Sequence, residues 1–185
     1  MAVSRRYVAL LRGVNVGRSK RVAMRDLRAV VASLGYAAPR TLLNSGNVVF
    51  RAPEASPVDI AVSLEDALSA QLAVSSRVTV LTADEFTSSV RGNPLLAAVG
   101  DPSRLIVGFL RDASDVDRLR ALALRDWAPE AFAAGERVAY AWCPGGVSSS
   151  PLLAAVARAV GDSITARNWA TVLKLQTLLD TGEGR

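Results

Sequence analysis

The residues with the clearest chemical potential lie in one short segment near the start of the chain, residues 10–17. The segment follows an apolar run that predicts a strand, and it would present backbone N–H groups together with the guanidinium of Arg12 and the amide of Asn15. Gly13 and Gly17 allow the backbone to approach a ligand closely. Because such groups bind anions, the segment predicts an anion-binding loop.

The spacing within this loop does not match the common nucleotide-binding motifs. A Walker A loop needs a longer gap between its glycines and then Lys-Ser or Lys-Thr, whereas Gly13 and Gly17 are separated only by Val-Asn-Val and are followed by Arg18. No G-x-G-x-x-G segment occurs, which counts against a Rossmann dinucleotide site. The sequence of the loop therefore predicts that it binds an anion but does not identify which one.

The inventory of side chains excludes several kinds of enzyme. The chain has no histidine, which removes Ser-His-Asp and Cys-His catalysis and histidine zinc sites. Its one cysteine, Cys143, permits no internal disulfide, and we expect it to be a buried thiol rather than a nucleophile. Asp112, Asp115 and Asp117 cluster at a predicted helix start, where acids favour the helix dipole. We assign no metal and no cofactor, and the sequence names no reaction.

Basic residues are concentrated in the first part of the chain. Residues 1–51 contain ten Lys and Arg against one acidic residue, a net charge of +9, whereas residues 52–185 carry −4. A field of one sign attracts anionic partners, either a small molecule or a nucleic acid. Arginine outnumbers lysine 20 to 2, which a GC-rich coding bias also produces, so the basic segment has two explanations.

Composition and hydropathy predict a cytoplasmic protein without a membrane partner. Half of the 185 residues are apolar, enough for a sizeable core, and no apolar run reaches the roughly 18 residues of a membrane span. The residues before Tyr7 contain no apolar signal-peptide region. The sequence gives no oligomeric state.

The order of predicted elements places the loop at a strand–helix junction. Residues 1–83 predict strand, helix, strand, strand, helix and strand, and residues 103–185 repeat that order before a C-terminal helix. Residues 84–102 predict a partly helical connector, broken at residues 92–94. This order is the split-βαβ arrangement. We therefore predict an α+β protein of two tandem split-βαβ (ferredoxin-like, βαββαβ) units with a C-terminal helix.

Cap and turn residues set the bounds of these elements. The predicted strands are 7–11, 41–44, 48–51, 77–81, 105–110, 131–133, 138–142 and 163–166. Helix N-caps are predicted at Ser56, Ser114, Ser150 and Asn168, and helix stops at Gly35 and Gly182.

Four ordered segments resemble the bacterial domain-of-unknown-function family 1697. They are residues 10–17, Met24 with Leu27, residues 44–50, and residues 167–175. The likeness extends from about Arg6 to Leu179. Since the family has no assigned activity, the resemblance implies none for this chain.

The resemblance implies that a set of polar residues belongs to one site. These residues are Arg12, Asn15, Ser45, Asn47, Arg167, Asn168 and Lys174. Together with Gly13 and Gly17 they form the predicted ligand-binding set, and we expect them to converge on one cleft. Arg167 suits an anion for a further reason, because it lies beside a predicted helix N-terminus. Ser45, Asn47 and Asn168 also have simpler interpretations as turn and cap residues.

Four functions remain open from the sequence. The favoured one is a site for a small anionic molecule or nucleotide, held by Arg12 and Arg167. An acylphosphatase-like phosphate hydrolase is an alternative by analogy, since acylphosphatases also carry an arginine-bearing loop after the first strand of a split-βαβ fold. Sequence-indifferent nucleic-acid binding through the basic half is another, although Tyr7 and Phe50 make a poor stacking platform. A scaffold that pairs through strand edges is the fourth.

Overall fold

The computed structural model describes residues 4–17, 20–98 and 100–181. Its strands are β1 (Ser4–Leu11), β2 (Ala37–Leu42), β3 (Asn47–Pro53), β4 (Val78–Thr82), β5 (Leu105–Leu110), β6 (Ala131–Ala134), β7 (Val138–Trp142) and β8 (Ile164–Asn168). Its helices are α1 (Met24–Ser33), α2 (Pro57–Leu72), α3 (Ala83–Arg91), α4 (Val116–Ala123), α5 (Pro151–Val160) and α6 (Trp169–Asp180). None of the helices in these residues is long and apolar enough to cross a bilayer.

Each half of the element order forms one four-stranded antiparallel sheet. The strand orders are β2-β3-β1-β4 and β6-β7-β5-β8. In both sheets a helix follows the first strand and another follows the third, as the split-βαβ arrangement requires. The predicted fold, two tandem ferredoxin-like units with a C-terminal helix, is confirmed.

Contacts divide the chain into two compact units. The first unit comprises Met1–Thr87 and Lys174–Arg185, and the second comprises Ser88–Leu173. The C-terminal segment from Lys174 is thus counted with the first unit. The boundaries predicted from sequence, 1–83 and 103–185 around a connector, stay a prediction.

The core of the first unit lies between its sheet and the helices α1 and α2. Tyr7, Ala9 and Leu11 of β1 are fully buried there with Leu27 and Leu64 from the two helices. Because side chains alternate along a strand, the even-numbered residues of β1 face the other side of the sheet. The apolar run predicted from the sequence is thus the buried part of β1, and the loop begins where this strand ends.

Three of the predicted N-caps are confirmed. The side-chain oxygens of Ser56, Ser150 and Asn168 accept hydrogen bonds from first-turn N–H groups of α2, α5 and α6 at 2.9 to 3.2 Å. The predicted helix stop at Gly182 lies outside the described residues. Gly35, the other predicted stop, has the positive φ of 78° that suits a residue just past a helix end.

The predicted cap at Ser114 is wrong. Asp115 precedes α4 and makes no side-chain cap bond, whereas Asp112 caps the 3₁₀ turn before it: its carboxylate accepts a hydrogen bond from the N–H of Ser114 at 2.8 Å. A carboxylate forms a stronger hydrogen bond with an N–H than a hydroxyl does, and Asp112 has the extended backbone of a cap residue. The chain then makes a short 3₁₀ turn before α4 begins at Val116.

β2 begins and ends earlier than the sequence predicted. The prediction was residues 41–44, whereas the strand spans Ala37–Leu42 and the turn occupies the residues after it. Ala38 has a φ of +51°, and the register shifts between Ala37 and Arg40. The bulge and Pro39 hide the strand from a pattern search, and an edge strand such as β2 tolerates both.

Candidate functional site

The end of β1 is held in place by main-chain hydrogen bonds to two other segments of the first unit. The N–H of Leu11 donates to the carbonyl of Gly46 at 2.8 Å, and the N–H of Arg12 donates to the carbonyl of Arg77 at 2.9 Å. The carbonyl of Arg12 accepts from the hydroxyl of Ser76 at 2.9 Å. Both main-chain polar groups of Arg12 are bonded, so its half-buried side chain starts from a fixed position.

The loop after β1 alternates between the two signs of φ. Gly13, Asn15 and Gly17 have φ values of +66°, +57° and +65°, and the intervening Val14 and Val16 do not share this conformation. Such alternation is the backbone pattern of anion-binding nests, in which successive N–H groups point to one side. Within the part of the chain that the structure describes, the N–H groups of Gly13, Val14, Val16 and Gly17 donate no hydrogen bond.

The side chain of Asn15 holds the loop together. Its Nδ2 donates to the carbonyls of Val22 at 2.8 Å and Asn44 at 2.6 Å, and its Oδ1 accepts from the N–H of Val22 at 2.9 Å. Its own N–H donates to the carbonyl of Lys20 at 3.0 Å. These bonds link both ends of the loop to the β2–β3 turn, so the amide of Asn15 shapes the loop.

Asn47 has a comparable structural task at the start of β3. The residue is fully buried, and its Nδ2 donates to the carbonyl of Leu42 at 2.9 Å and to the hydroxyl of Ser45 at 2.8 Å. These bonds close the turn between β2 and β3. These hydrogen bonds support the simpler interpretation of Ser45 and Asn47 as turn residues.

Gly46 brings that turn against the end of β1. A Cβ atom at this position would lie 2.7 Å from the Cβ of Leu11 and 2.7 Å from the Cγ2 of Val14, and the φ of Gly46 is +75°. Only glycine fits both the contact and the backbone angle. The structure therefore brings together two segments that the sequence predicted to converge, the loop after β1 and the β2–β3 turn.

Positive charge surrounds the loop. Arg12 is half-buried, and Lys20 and Arg21 are exposed. The first acidic residue of the chain is Asp26, so no carboxylate lies within the loop. Arg18, which the sequence also offered as a source of charge, lies outside the described residues.

Arg167 and Asn168 lie in the second unit. Arg167 pairs with Val107 across β8 and β5, and its Nη1 donates to the carbonyl of Ala166 at 2.8 Å. Arg167 is partly buried, and the loss of solvent lowers its pKa to about 10. Because this value is still well above neutral pH, the guanidinium stays charged there. Asn168 caps α6 through its Oδ1.

The predicted ligand-binding set is therefore distributed over both units. Lys174 is exposed on α6 and belongs to the segment counted with the first unit. Within the first unit, the segment that carries Arg12, Gly13, Asn15 and Gly17 contacts the turn that carries Ser45 and Asn47 through Leu11, Val14 and Asn15. The predicted convergence of this group with Arg167, Asn168 and Lys174 stays a prediction.

The aromatic residues of β1 and β3 face the core. Tyr7 and Phe50 are 0% and 1% exposed, and their rings stack at a centroid distance of 5.9 Å. Tyr36 also stacks on Phe50, at a centroid distance of 5.2 Å. Base stacking needs exposed rings on these strands, so neither Tyr7 nor Phe50 serves as a platform for nucleic acid.

Cys143 is a buried thiol, as predicted. It is fully buried just after β7, and its Sγ lies 3.5 Å from the hydroxyl of Ser150. Burial raises the pKa of Cys143, which keeps it protonated and unreactive. Among the described residues, no cluster of three or more His, Cys, Asp or Glu is arranged to hold a metal ion.

Two basic residues that the sequence singled out only through their charge contact the end of α6. Arg6 donates from Nη1 to the carbonyl of Leu179 at 2.7 Å, and Arg40 donates from Nη2 to the carbonyl of Leu178. Their partners lie far away along the chain, so no local pattern reveals the contact. Arg6 and Arg40 also lie outside the strands predicted at 7–11 and 41–44, so the sequence offered no signal for either contact.

Comparison with known proteins supports the fold and the family. The chain is similar to a solved structure of the conserved bacterial protein SP0830 from Streptococcus pneumoniae, with a TM-score of 0.73 and 22% sequence identity. The alignment covers 96% of this chain and 99% of that one. At this identity the likeness establishes the fold alone. The chain matches no curated protein.

The family model described as "Protein of unknown function (DUF1697)" matches residues 4–140. The match includes β1, the loop after it, the β2–β3 turn and most strands of the second unit. The segment at residues 167–175 lies beyond this match, so the predicted extent of the likeness to Leu179 stays a prediction. The predicted family is confirmed: this chain belongs to the DUF1697 family.

Proposed function

We propose that the loop after β1 binds an anionic small molecule through a phosphate or carboxylate group. One observation carries the proposal: in the described residues, four N–H groups of residues 13–17 have no acceptor, and they lie in a stretch where φ alternates in sign. Backbone donors in this arrangement bind oxyanions in phosphate-binding loops. The ligand would supply the acceptors that the protein does not.

The loop is preorganised for this role. Its two ends are tied by Asn15, and its floor is fixed by the contact of Gly46 with Leu11 and Val14. A ligand that enters a rigid site does not bear the entropy cost of ordering the loop, so weak individual hydrogen bonds add up to useful affinity.

Charge favours an anion over a neutral ligand. Arg12 stands at the entry to the loop, and Lys20 and Arg21 follow it without an intervening carboxylate. Arginine can offer a bidentate contact to a phosphate or carboxylate, whereas lysine adds charge without fixed geometry. In this proposal Arg12 orients the anion and the two neighbours raise its local concentration.

We also propose a duplication of one unit and a cytoplasmic location. The matching strand orders of the two sheets are what a duplication of one ferredoxin-like unit would leave. Because its one cysteine is buried and forms no disulfide, the chain suits a reducing compartment, and we propose a cytoplasmic location.

Calorimetric titration with inorganic phosphate and pyrophosphate tests the proposal. We expect saturable binding to the wild-type protein and a loss of affinity of at least about tenfold in Arg12→Gln, because one charge-assisted contact is removed. Arg25→Gln is the matched control, since Arg25 is exposed on α1 and pairs with Asp26. Equal affinities in wild type, R12Q and R25Q would refute the loop as the site.

A second arm separates the alternatives. Binding of RNA and DNA is measured at two salt concentrations, and turnover of an acyl phosphate is measured at high protein concentration. Tight, salt-dependent nucleic-acid binding that inorganic phosphate does not displace would contradict the proposal. Turnover of the acyl phosphate that is lost in R12Q would show that the loop is the site and that it is catalytic.

A further inference from the structure

Two exposed apolar side chains flank the contact between the loop after β1 and the β2–β3 turn. Val16 of the loop is 69% exposed, and Leu43 of the turn is 50% exposed. The two segments are joined there by the hydrogen bond from Nδ2 of Asn15 to the carbonyl of Asn44 at 2.6 Å. Val16 directly follows one partner of this bond, and Leu43 directly precedes the other.

Leu43 is unusual in its backbone as well as in its exposure. Its φ is +55°, in the left-handed region, where leucine is strained and asparagine or glycine is preferred. Its side chain is half exposed, so burial does not offset this strain. Because strained residues cluster at binding and active sites, Leu43 indicates a role beyond the turn itself.

Val16 links this apolar surface to the N–H groups of the loop. Its own N–H is one of the four that have no acceptor among the described residues. An oxygen that accepts from this N–H lies within about 5.5 Å of the Cβ of Val16, given ordinary bond lengths. The anionic group of a ligand held by the loop is therefore next to an apolar side chain.

The other exposed large apolar side chains that the structure describes in the first unit lie on a helix. Val58 and Val62 are less exposed than Leu43 and lie one turn apart on α2. Single exposed apolar residues of this kind are ordinary on a protein surface. Val62 therefore provides a reference for the effects of changing Val16 and Leu43.

We propose that the ligand of the loop after β1 is amphipathic: a small molecule whose phosphate or carboxylate group carries an apolar chain or ring that covers Val16 and Leu43. This inference rests on the proposed function, because the loop must first hold the anionic group. Sites for small molecules combine apolar contacts with a few polar groups that fix orientation. Here the N–H groups of the loop orient the ligand, and the two apolar side chains favour a substituted anion over a bare one.

Parallel calorimetric titrations with inorganic phosphate and with butyl phosphate test the inference. Because each methylene group that the protein covers strengthens binding about fourfold, we expect wild type to bind butyl phosphate at least about tenfold more tightly than phosphate. Leu43→Asn and Val16→Thr should each lower this ratio of affinities at least about threefold, since each removes apolar contact. Val62→Thr is the matched control and should keep the wild-type ratio.

Melting curves separate a binding role of Leu43 from a structural one. We expect L43N to melt no lower than wild type, because asparagine accepts a positive φ more readily than leucine does. A variant that keeps its stability and loses its preference for butyl phosphate has lost a ligand contact. Hexanoate compared with acetate gives the same ratio for a carboxylate.

The outcomes also separate this inference from the proposed function. A wild-type protein that binds inorganic phosphate but shows no preference for the substituted anion in either series would keep the loop as the site and overturn the amphipathic ligand. A protein that binds none of the four anions would overturn both proposals. A ratio unchanged in L43N and V16T, or lowered equally in V62T, would overturn the assignment of the apolar contact to these residues.

Discussion

The loops that follow the first strand of each unit begin in the same way and then diverge. In the second unit the N–H of Leu110 donates to the carbonyl of Arg137 at 2.9 Å, and the N–H of Arg111 donates to the carbonyl of Ser163 at 2.8 Å. Leu11 and its neighbour make the corresponding bonds in the first unit. The two strands thus end on the same backbone geometry.

The difference lies in what the next N–H groups bind. In the second unit the carboxylate of Asp112 accepts from the N–H of Ser114, and the chain enters a helical turn at once. In the first unit no acid occurs in the loop and φ alternates in sign. Among the described residues, the N–H groups of Gly13, Val14, Val16 and Gly17 have no acceptor. In our proposal, the second unit supplies its own carboxylate at this position, whereas the first unit leaves these N–H groups to a bound anion.

The largest effect is expected where the first loop rests on the β2–β3 turn. Gly46→Ala places a Cβ 2.7 Å from side-chain atoms of Leu11 and Val14, at a φ of +75°. We expect the free energy of unfolding to fall by about 3 kcal/mol, as measured by chemical denaturation.

Gly35→Ala is the matched control for that variant. Gly35 has a φ of +78° in the same unit, and a Cβ there would meet nothing within 4 Å. In G35A the free energy of unfolding should fall by about 1–2 kcal/mol, because only the backbone angle is strained. Equal losses in G46A and G35A would show that the packed contact with the turn does not hold the loop.

The next effect concerns the amide of Asn15. Asn15→Gly keeps a residue that accepts the φ of +57° but removes the hydrogen bonds to Val22 and Asn44. We expect a loss of about 2 kcal/mol in stability and a roughly tenfold weaker affinity for phosphate, since the loop loses its preorganised shape. Unchanged phosphate affinity in N15G would show that the loop shape held by Asn15 is not needed for binding, against the proposed difference between the two loops.

In the second unit the next prediction concerns the carboxylate of Asp112, which accepts a hydrogen bond from the N–H of Ser114. Hydrogen bonds from Ser114 lower the pKa of the Asp112 carboxyl below its usual 3.8. The carboxylate therefore stabilises the fold above pH 3.8, and this contribution is lost as the pH falls through the lowered pKa. We expect Asp112→Ala to lower the melting temperature at neutral pH and to match wild type once the carboxyl is protonated. A pH-independent difference would contradict this assignment.

The smallest effect is at the end of the second helix of each unit. Ala73, after α2, has a φ of +54°, and Gly161, after α5, has a φ of +56°. Because only glycine adopts such angles without strain, we expect Ala73→Gly to stabilise the protein by about 1 kcal/mol. Gly161→Ala should change the melting temperature in the opposite direction. A destabilised A73G would show that the methyl group packs usefully.

Most of the fold was accessible from the sequence because its signals are local. A continuous apolar run located β1, and the Ser-Pro pairs at Ser56 and Ser150 placed the starts of α2 and α5 correctly. The errors arose where neighbours compete. Asp112 displaced Ser114 as a cap, and the bulge at Ala38 concealed the start of β2.

The candidate site was only partly accessible. Gly13 and Gly17 indicated a loop with unusual backbone angles, and the structure has positive φ at both. The sequence could not show that the amides of Asn15 and Asn47 bind main-chain carbonyls, because those partners are set by tertiary contacts. The same reason hid Arg6, whose acceptor lies 173 residues away.

The most direct test of the central claim is a titration of the labelled protein with inorganic phosphate, followed through its backbone amide NMR signals. We predict saturable shifts at Gly13, Val14, Val16 and Gly17, and no saturable shift at Ser114, whose N–H is already bound by Asp112. Unmoved signals at residues 13–17, or equal shifts in the two loops, would contradict the account.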